Sequence, residues 1–110
     1  MEKEEIIEGI LYLLQGDNSN FDGFGYTLEE VRTFLKFNKV GEFKENGDLT
    51  DFLHEMEQDG LIEERHFDFS GKDLGRIDYS IENIGIKKIE EIKKSLKVRG
   101  IKLEDKWKIA

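Results

Sequence analysis

The sequence predicts a small, mostly helical α+β domain built from three helices, a β-hairpin and a long C-terminal helix. Three observations carry this. Apolar residues recur at helical spacing in four separate stretches, one short stretch near residue 77 alternates strictly, and turn residues punctuate the chain between them. The length of 110 residues suits one domain, and eight Phe, three Tyr, one Trp and many Ile and Leu suffice for one core.

Each element has a local reason. Residues 2–15 place Ile6, Ile7, Ile10, Leu11 and Leu14 on one helical face, and Glu2, Glu4 and Glu5 suit the positive end of the macrodipole. Gly9 weakens this helix modestly. Residues 16–26 (GDNSNFDGFGY) are a connection. Thr27-Leu28-Glu29-Glu30 is a capping box that opens a helix to about Phe37, burying Leu28, Val31, Phe34 and Leu35. A connection from Asn38 to Gly47 follows, with a short extended piece expected at Val40–Phe43. Asp48 is expected to cap a third helix to Asp59, with Leu49, Phe52, Leu53 and Met56 inward and Gly60 just past its end. Leu61–Phe69 reads as a strand and residues 70–75 as the turn. Arg76–Ile81 is a second strand, where Ile77, Tyr79 and Ile81 alternate with Arg76, Asp78 and Ser80. Asn83 is expected to cap a helix to about Arg99, which Gly100 ends. The expected division is one domain over residues 1–100 and a short basic tail over 101–110 that holds Trp107.

This order, in so small a chain, is the winged helix-turn-helix arrangement. The stretch from Phe52 to Glu64 (FLHEMEQDGLIEE) sets an amphipathic helix, a Gly and an apolar pair in sequence. Ile77-Asp78-Tyr79-Ser80-Ile81 is followed by Ile84-Gly85-Ile86. Both resemble PadR- and MarR-like transcriptional regulators, over roughly residues 27–97. The resemblance implies a DNA-contacting wing and third helix, and a last helix that forms a dimer interface. The chain departs from that pattern between the second and third helices, where the usual turn of about three or four residues is much longer.

The charge pattern modifies that expectation. With 17 Lys+Arg against 25 Asp+Glu the net charge is −8, but it is unevenly spread. Residues 1–82 hold 8 basic and 21 acidic residues, net −13, and residues 83–110 hold 9 basic and 4 acidic, net +5. The outer face of the third helix is Thr50, Asp51, His54, Glu55, Glu57 and Gln58. From Glu45 to Glu64 there are eight acidic residues and no basic one. Because phosphate neutralisation supplies much of the affinity for DNA, this helix is a poor reader of a duplex. DNA contact is expected instead through Arg65, Lys72 and Arg76 of the wing and through Lys87 and Lys88 of the last helix. The alternative is a protein-interaction module in which Asp51, His54, Glu55 and Gln58 meet a basic protein partner. Ile89, Ile92, Leu96 and Trp107 are the residues expected at a homodimer interface.

Other chemistry is thinly supported. Asn18, Asn20, Asp22, Gly23 and Glu29 fall at positions 1, 3, 5, 6 and 12 of a calcium loop. Asn at position 1 and Gly25 at position 8 depart from that pattern, and a Gly/Asn-rich connection is the simpler reading. The absence of Cys excludes disulfides and thiolate metal sites, and two His exclude a His-rich zinc centre. No Ser stands in a nucleophile-elbow context, and Ser70-Gly71-Lys72 is not a phosphate loop, so a non-enzymatic regulator without cofactor is expected. No apolar run could span a membrane and no secretory signal is evident, so a cytoplasmic protein is expected.

Overall fold

The structure is a computed structural model that describes residues 2–16, 25–41, 43, 46–67 and 76–108. Its elements are α1 (Glu2–Gln15), α2 (Leu28–Phe37), α3 (Asn46–Gln58), β1 (Ile62–Phe67), β2 (Arg76–Ile81), α4 (Asn83–Val98) and α5 (Leu103–Lys106).

Helix α1 is the centre of the molecule. Ile6, Ile7, Ile10, Leu11, Leu13 and Leu14 are all buried, a wider band than a single stripe, because α2, α4 and β2 all pack on it. The same core takes Val31, Phe34 and Leu35 from α2, Leu49, Leu53 and Met56 from α3, and Ile62 and Tyr79 from the hairpin.

The caps follow the sequence closely at α2. Thr27 Oγ1 accepts from the Glu30 N–H at 3.3 Å, while Glu30 Oε1 accepts from the Thr27 N–H at 2.9 Å. Helix α3 begins at Asn46, two residues ahead of the expected Asp48 cap, so Asp48 stands in its first turn. Residues Val40, Gly41 and Phe43 form no strand; Phe43 instead sets its ring edge-on to Phe52 of α3 at 5.7 Å. Gly60 takes φ +77°, a left-handed conformation open to Gly, and Leu61 N–H then reaches back to Met56 O at 3.1 Å. Helix α4 ends in the same way: Gly100 has φ +75° and Ile101 N–H bonds Leu96 O at 2.9 Å. Its N-cap is Glu82 rather than Asn83, and no side chain bonds there.

The two strands pair antiparallel from Ile62↔Ile81 to Phe67↔Arg76. One face therefore carries Ile62, Glu64, His66, Ile77, Tyr79 and Ile81, running from the core outward. A further pairing lies outside the sequence expectation. Tyr26 and Tyr79 exchange backbone hydrogen bonds at 2.8 and 3.0 Å, so the residue just before the Thr27 cap extends the sheet past β2.

Residues 101–108 pack onto the body of the domain. Leu103 and Trp107 are buried in the common core. Trp107 donates its indole N–H to Glu8 at 2.7 Å and stacks on Phe34 at 5.8 Å. The ring lies against Gly9, where an added Cβ would come within 2.7 Å of it. Asn38 clasps the same segment by its side-chain amide, accepting from Lys108 N–H and donating to Lys108 O, both at 2.8 Å.

Candidate nucleic-acid interface

In this fold the third helix and the hairpin stand side by side, and α3 packs on β1 here. Burial of Leu49, Leu53 and Met56 turns Asp51, His54, Glu55 and Gln58 to solvent, as the helical spacing requires. These four are the alternative protein-contact residues, and they do share one exposed face. Glu55 is engaged by Lys3 of α1 at 2.7 Å, a pair more than half exposed on both sides and so worth little. The hydrogen bond to Glu55, with the charge of that carboxylate, raises the affinity of the Lys3 amine for its proton.

The junction of α3 and the hairpin is organised around Glu64. Its Oε2 accepts from His54 Nε2 at 3.0 Å and from the Tyr79 hydroxyl at 2.9 Å, and its Oε1 accepts from His66 Nε2 at 2.9 Å. The Glu64 backbone N–H donates to Glu57 Oε2 of α3 at 3.0 Å. Burial alone would raise the Glu64 carboxyl; hydrogen bonds from His66, Tyr79 and His54 outweigh it and hold the group below the ordinary carboxylate value. Burial, reinforced by the Glu64 hydrogen bond, pushes the Tyr79 hydroxyl far above its ordinary value. The alternation of β1 already puts Glu64 and His66 on the face of Ile62, but nothing in the sequence tells that His54 meets them.

The opposite face of the hairpin holds a buried ion pair. Asp78 is fully buried, accepts from Arg65 Nε at 3.0 Å, and accepts the Gly25 N–H at 2.8 Å. This assembly clamps the segment before α2 onto β2. It leaves Gly25 no room: an added Cβ would lie 2.2 Å from Tyr79 O.

The residues expected to contact DNA are therefore differently placed. Arg65 has a partner inside the fold, because a buried carboxylate must be neutralised by a near cation. Lys72 lies outside the described residues, and Arg76 opens β2. Lys87 is exposed on α4, whereas Lys88 lies 3.6 Å from Glu4 of α1. Lys93 reaches Gln15 at 3.3 Å and Lys106 reaches Glu8 at 2.8 Å. Part of the charge asymmetry between the two ends of the chain is thus matched within the molecule. On the outer side of α4, Glu90 and Glu91 stand exposed among Lys87, Lys94 and Lys97.

Three of the four residues expected at a dimer interface are enclosed by their own chain. Ile89, Leu96 and Trp107 are buried in the core, and Ile92 packs against it. Their spacing marks the side of α4 that faces α1; the apolar residues that α4 leaves to solvent are Ile84, Ile86 and Val98. Of the calcium-loop residues, Asn18, Asn20 and Asp22 lie outside the described residues, and Glu29 is paired with Arg32 at 3.3 Å. Among the described residues no cluster is arranged to hold a metal ion, and no helix is long and apolar enough to cross a membrane.

A capped helical pair, a hairpin and a long closing helix around one core define a winged-helix fold. Comparison with solved structures agrees: the chain superposes on the crystal structure of a PadR family transcription regulator from hypervirulent Clostridium difficile R20291. The TM-score is 0.61 at 19% identity, covering 86% of this chain and 90% of that one. At that identity the likeness is one of fold. No protein-family model and no curated protein matches the sequence.

Proposed function

We propose that this chain is a non-enzymatic, transcription-regulator-like protein that contacts DNA through its wing and C-terminal helix rather than through α3. The similar structure is of a PadR family transcription regulator, which supports the regulator reading. The observation that directs the mode of contact is the charge of the exposed surface. Asp51 and Glu55 are exposed on α3, Glu57 stands beside them, and no Lys or Arg occurs from residue 45 to 64. Lys72, Arg76 and Lys87 are the cations proposed to meet phosphate, joined by Lys88 when it leaves its long pair with Glu4. In this reading Arg65 acts indirectly, by fixing Asp78 and hence the hairpin. A homodimer that pairs two basic surfaces on one duplex fits this proposal.

Fluorescence polarisation against random duplex tests it. Binding at low salt should weaken with a log–log slope of about −3 to −4 per chain, the value for three or four phosphate contacts. The double substitution Lys72→Glu/Arg76→Glu should abolish that binding. No binding at low salt overturns the proposal and favours the second reading, in which the face of Asp51, His54, Glu55 and Gln58 docks a basic protein. That reading rests on the exposed carboxylates of the same face, Asp51 and Glu55.

A further inference from the structure

Glu64 joins α3 to both strands of the hairpin. One carboxylate is held by three side chains from three elements: His54 from α3, His66 from β1 and Tyr79 from β2. The two imidazoles are about half exposed or more, at 47% and 65%, while the carboxylate they share is only 17% exposed. Protons from solvent thus reach the donors easily, and the acceptor is shielded enough to respond.

We propose that this cluster is a proton-operated latch between α3 and the hairpin, which tightens when His54 and His66 take up protons and loosens when they lose them. The inference concerns how two elements are coupled and holds whether the partner is DNA or protein.

The charges around the cluster fix the direction. From α3 come His54 and Glu57, with Glu55 next to His54 but engaged by Lys3 of α1. From β1 come Glu64 and His66, and from β2 comes Tyr79. The cross-strand neighbour of His66 is the uncharged Ile77. Arg65 and Asp78 lie on the other face and satisfy each other, and Glu63 there faces Glu82. With neutral imidazoles, the Glu64 carboxylate is held by uncharged donors alone, while the Glu57 carboxylate of α3 accepts from the Glu64 backbone N–H. Histidine gains its proton between about pH 8 and pH 5. Each imidazolium then makes a charge-assisted hydrogen bond to Glu64, stronger than the neutral one. At still lower pH Glu64 itself is protonated, and the latch is lost. The response is therefore bell-shaped.

Hydrogen exchange of the hairpin amides in the full-length chain, corrected for intrinsic exchange chemistry and measured with a chelator present, tests the latch. Two partly exposed pairs predict a rise in protection of about threefold to tenfold between pH 8 and about pH 6, followed by a fall in the carboxylate range. Glu64→Gln should flatten the profile. His54→Gln/His66→Gln should flatten it as well; these solvent-facing substitutions leave the core and the Tyr79 hydroxyl in place, so this variant decides the matter should Glu64→Gln fail to fold. An unchanged rise in either folded variant, or a flat profile in the parent protein, overturns the proposal.

Discussion

Truncating Trp107 to Ala should cost this domain a large part of its stability. The indole is 2% exposed, stacks on Phe34 and fills the space over Gly9. Removing a buried Trp side chain costs about 3–5 kcal/mol. The Glu8 carboxylate, 9% exposed, keeps Lys106 at 2.8 Å but loses its indole donor, which adds about 1 kcal/mol or more. A domain of this size is stable by about 5–15 kcal/mol. Each kcal/mol moves the melting temperature by roughly 4–8 °C in domains of up to about 100 residues. Thermal unfolding followed by far-ultraviolet circular dichroism should thus show a fall of at least about 12 °C. Trp107→Phe, which keeps an aromatic ring but loses the indole donor and part of the ring that lies over Gly9, should fall between the parent and Trp107→Ala. Deleting residues 101–110 should cost at least as much as Trp107→Ala, since it also removes the buried Leu103 and the Asn38–Lys108 hydrogen bonds. The sole Trp of the chain also reports on itself: its emission should be that of an indole shielded from water. A loss below about 1 kcal/mol for Trp107→Ala, or a solvent-like emission in the parent, refutes the reasoning.

Other outcomes follow from the same contacts. Gly25→Ala sets a methyl against the Tyr79 carbonyl, a backbone atom that cannot turn aside, and should cost about 3 kcal/mol or more, read from the urea midpoint. Arg65→Ala leaves Asp78 charged and buried, and should cost about 3–5 kcal/mol in the same assay. The Glu64 carboxyl is held below its ordinary value in the folded state, so its contribution is complete above the ordinary carboxylate range and disappears as pH falls through the lowered value. The urea midpoint of the parent should accordingly drop more steeply than that of Glu64→Gln as pH falls from about 5 to about 3. Gly9→Ala, which gains helix propensity yet presses on the Trp107 ring, should be destabilising by about 1–3 kcal/mol; a stabilised variant shows that the ring does not sit there.

Sequence alone reveals those parts of the fold whose causes are local. The Thr27–Glu30 box, the left-handed Gly60 and the alternation of Ile77, Tyr79 and Ile81 each act within a few residues, and each is found where spacing puts it. The start of α3 lies earlier than the Asp48 cap suggests, because Asn46 and Gly47 already belong to the helix. Gly9 illustrates the limit best. Read alone it is a helix-weakening residue, and its purpose is visible only when Trp107 is brought against it. The candidate site divides in the same way. The acid face of α3 is legible from helical period. That Arg65 is engaged by Asp78 and that His54 joins His66 on Glu64 depend on pairing between elements, to which no local pattern points.

The clasp of Trp107 on α1 also bears on the order in which the chain can assemble. Glu8 and Trp107 are separated by 99 positions. During synthesis α1 emerges ahead of this segment, so its contacts at Glu8 and Gly9 can form only once residue 107 has been made. Such contacts between distant positions form late and slow folding, because the loop between them must be closed first. The hold of Trp107 on α1 is therefore a late event that joins two distant parts of the chain.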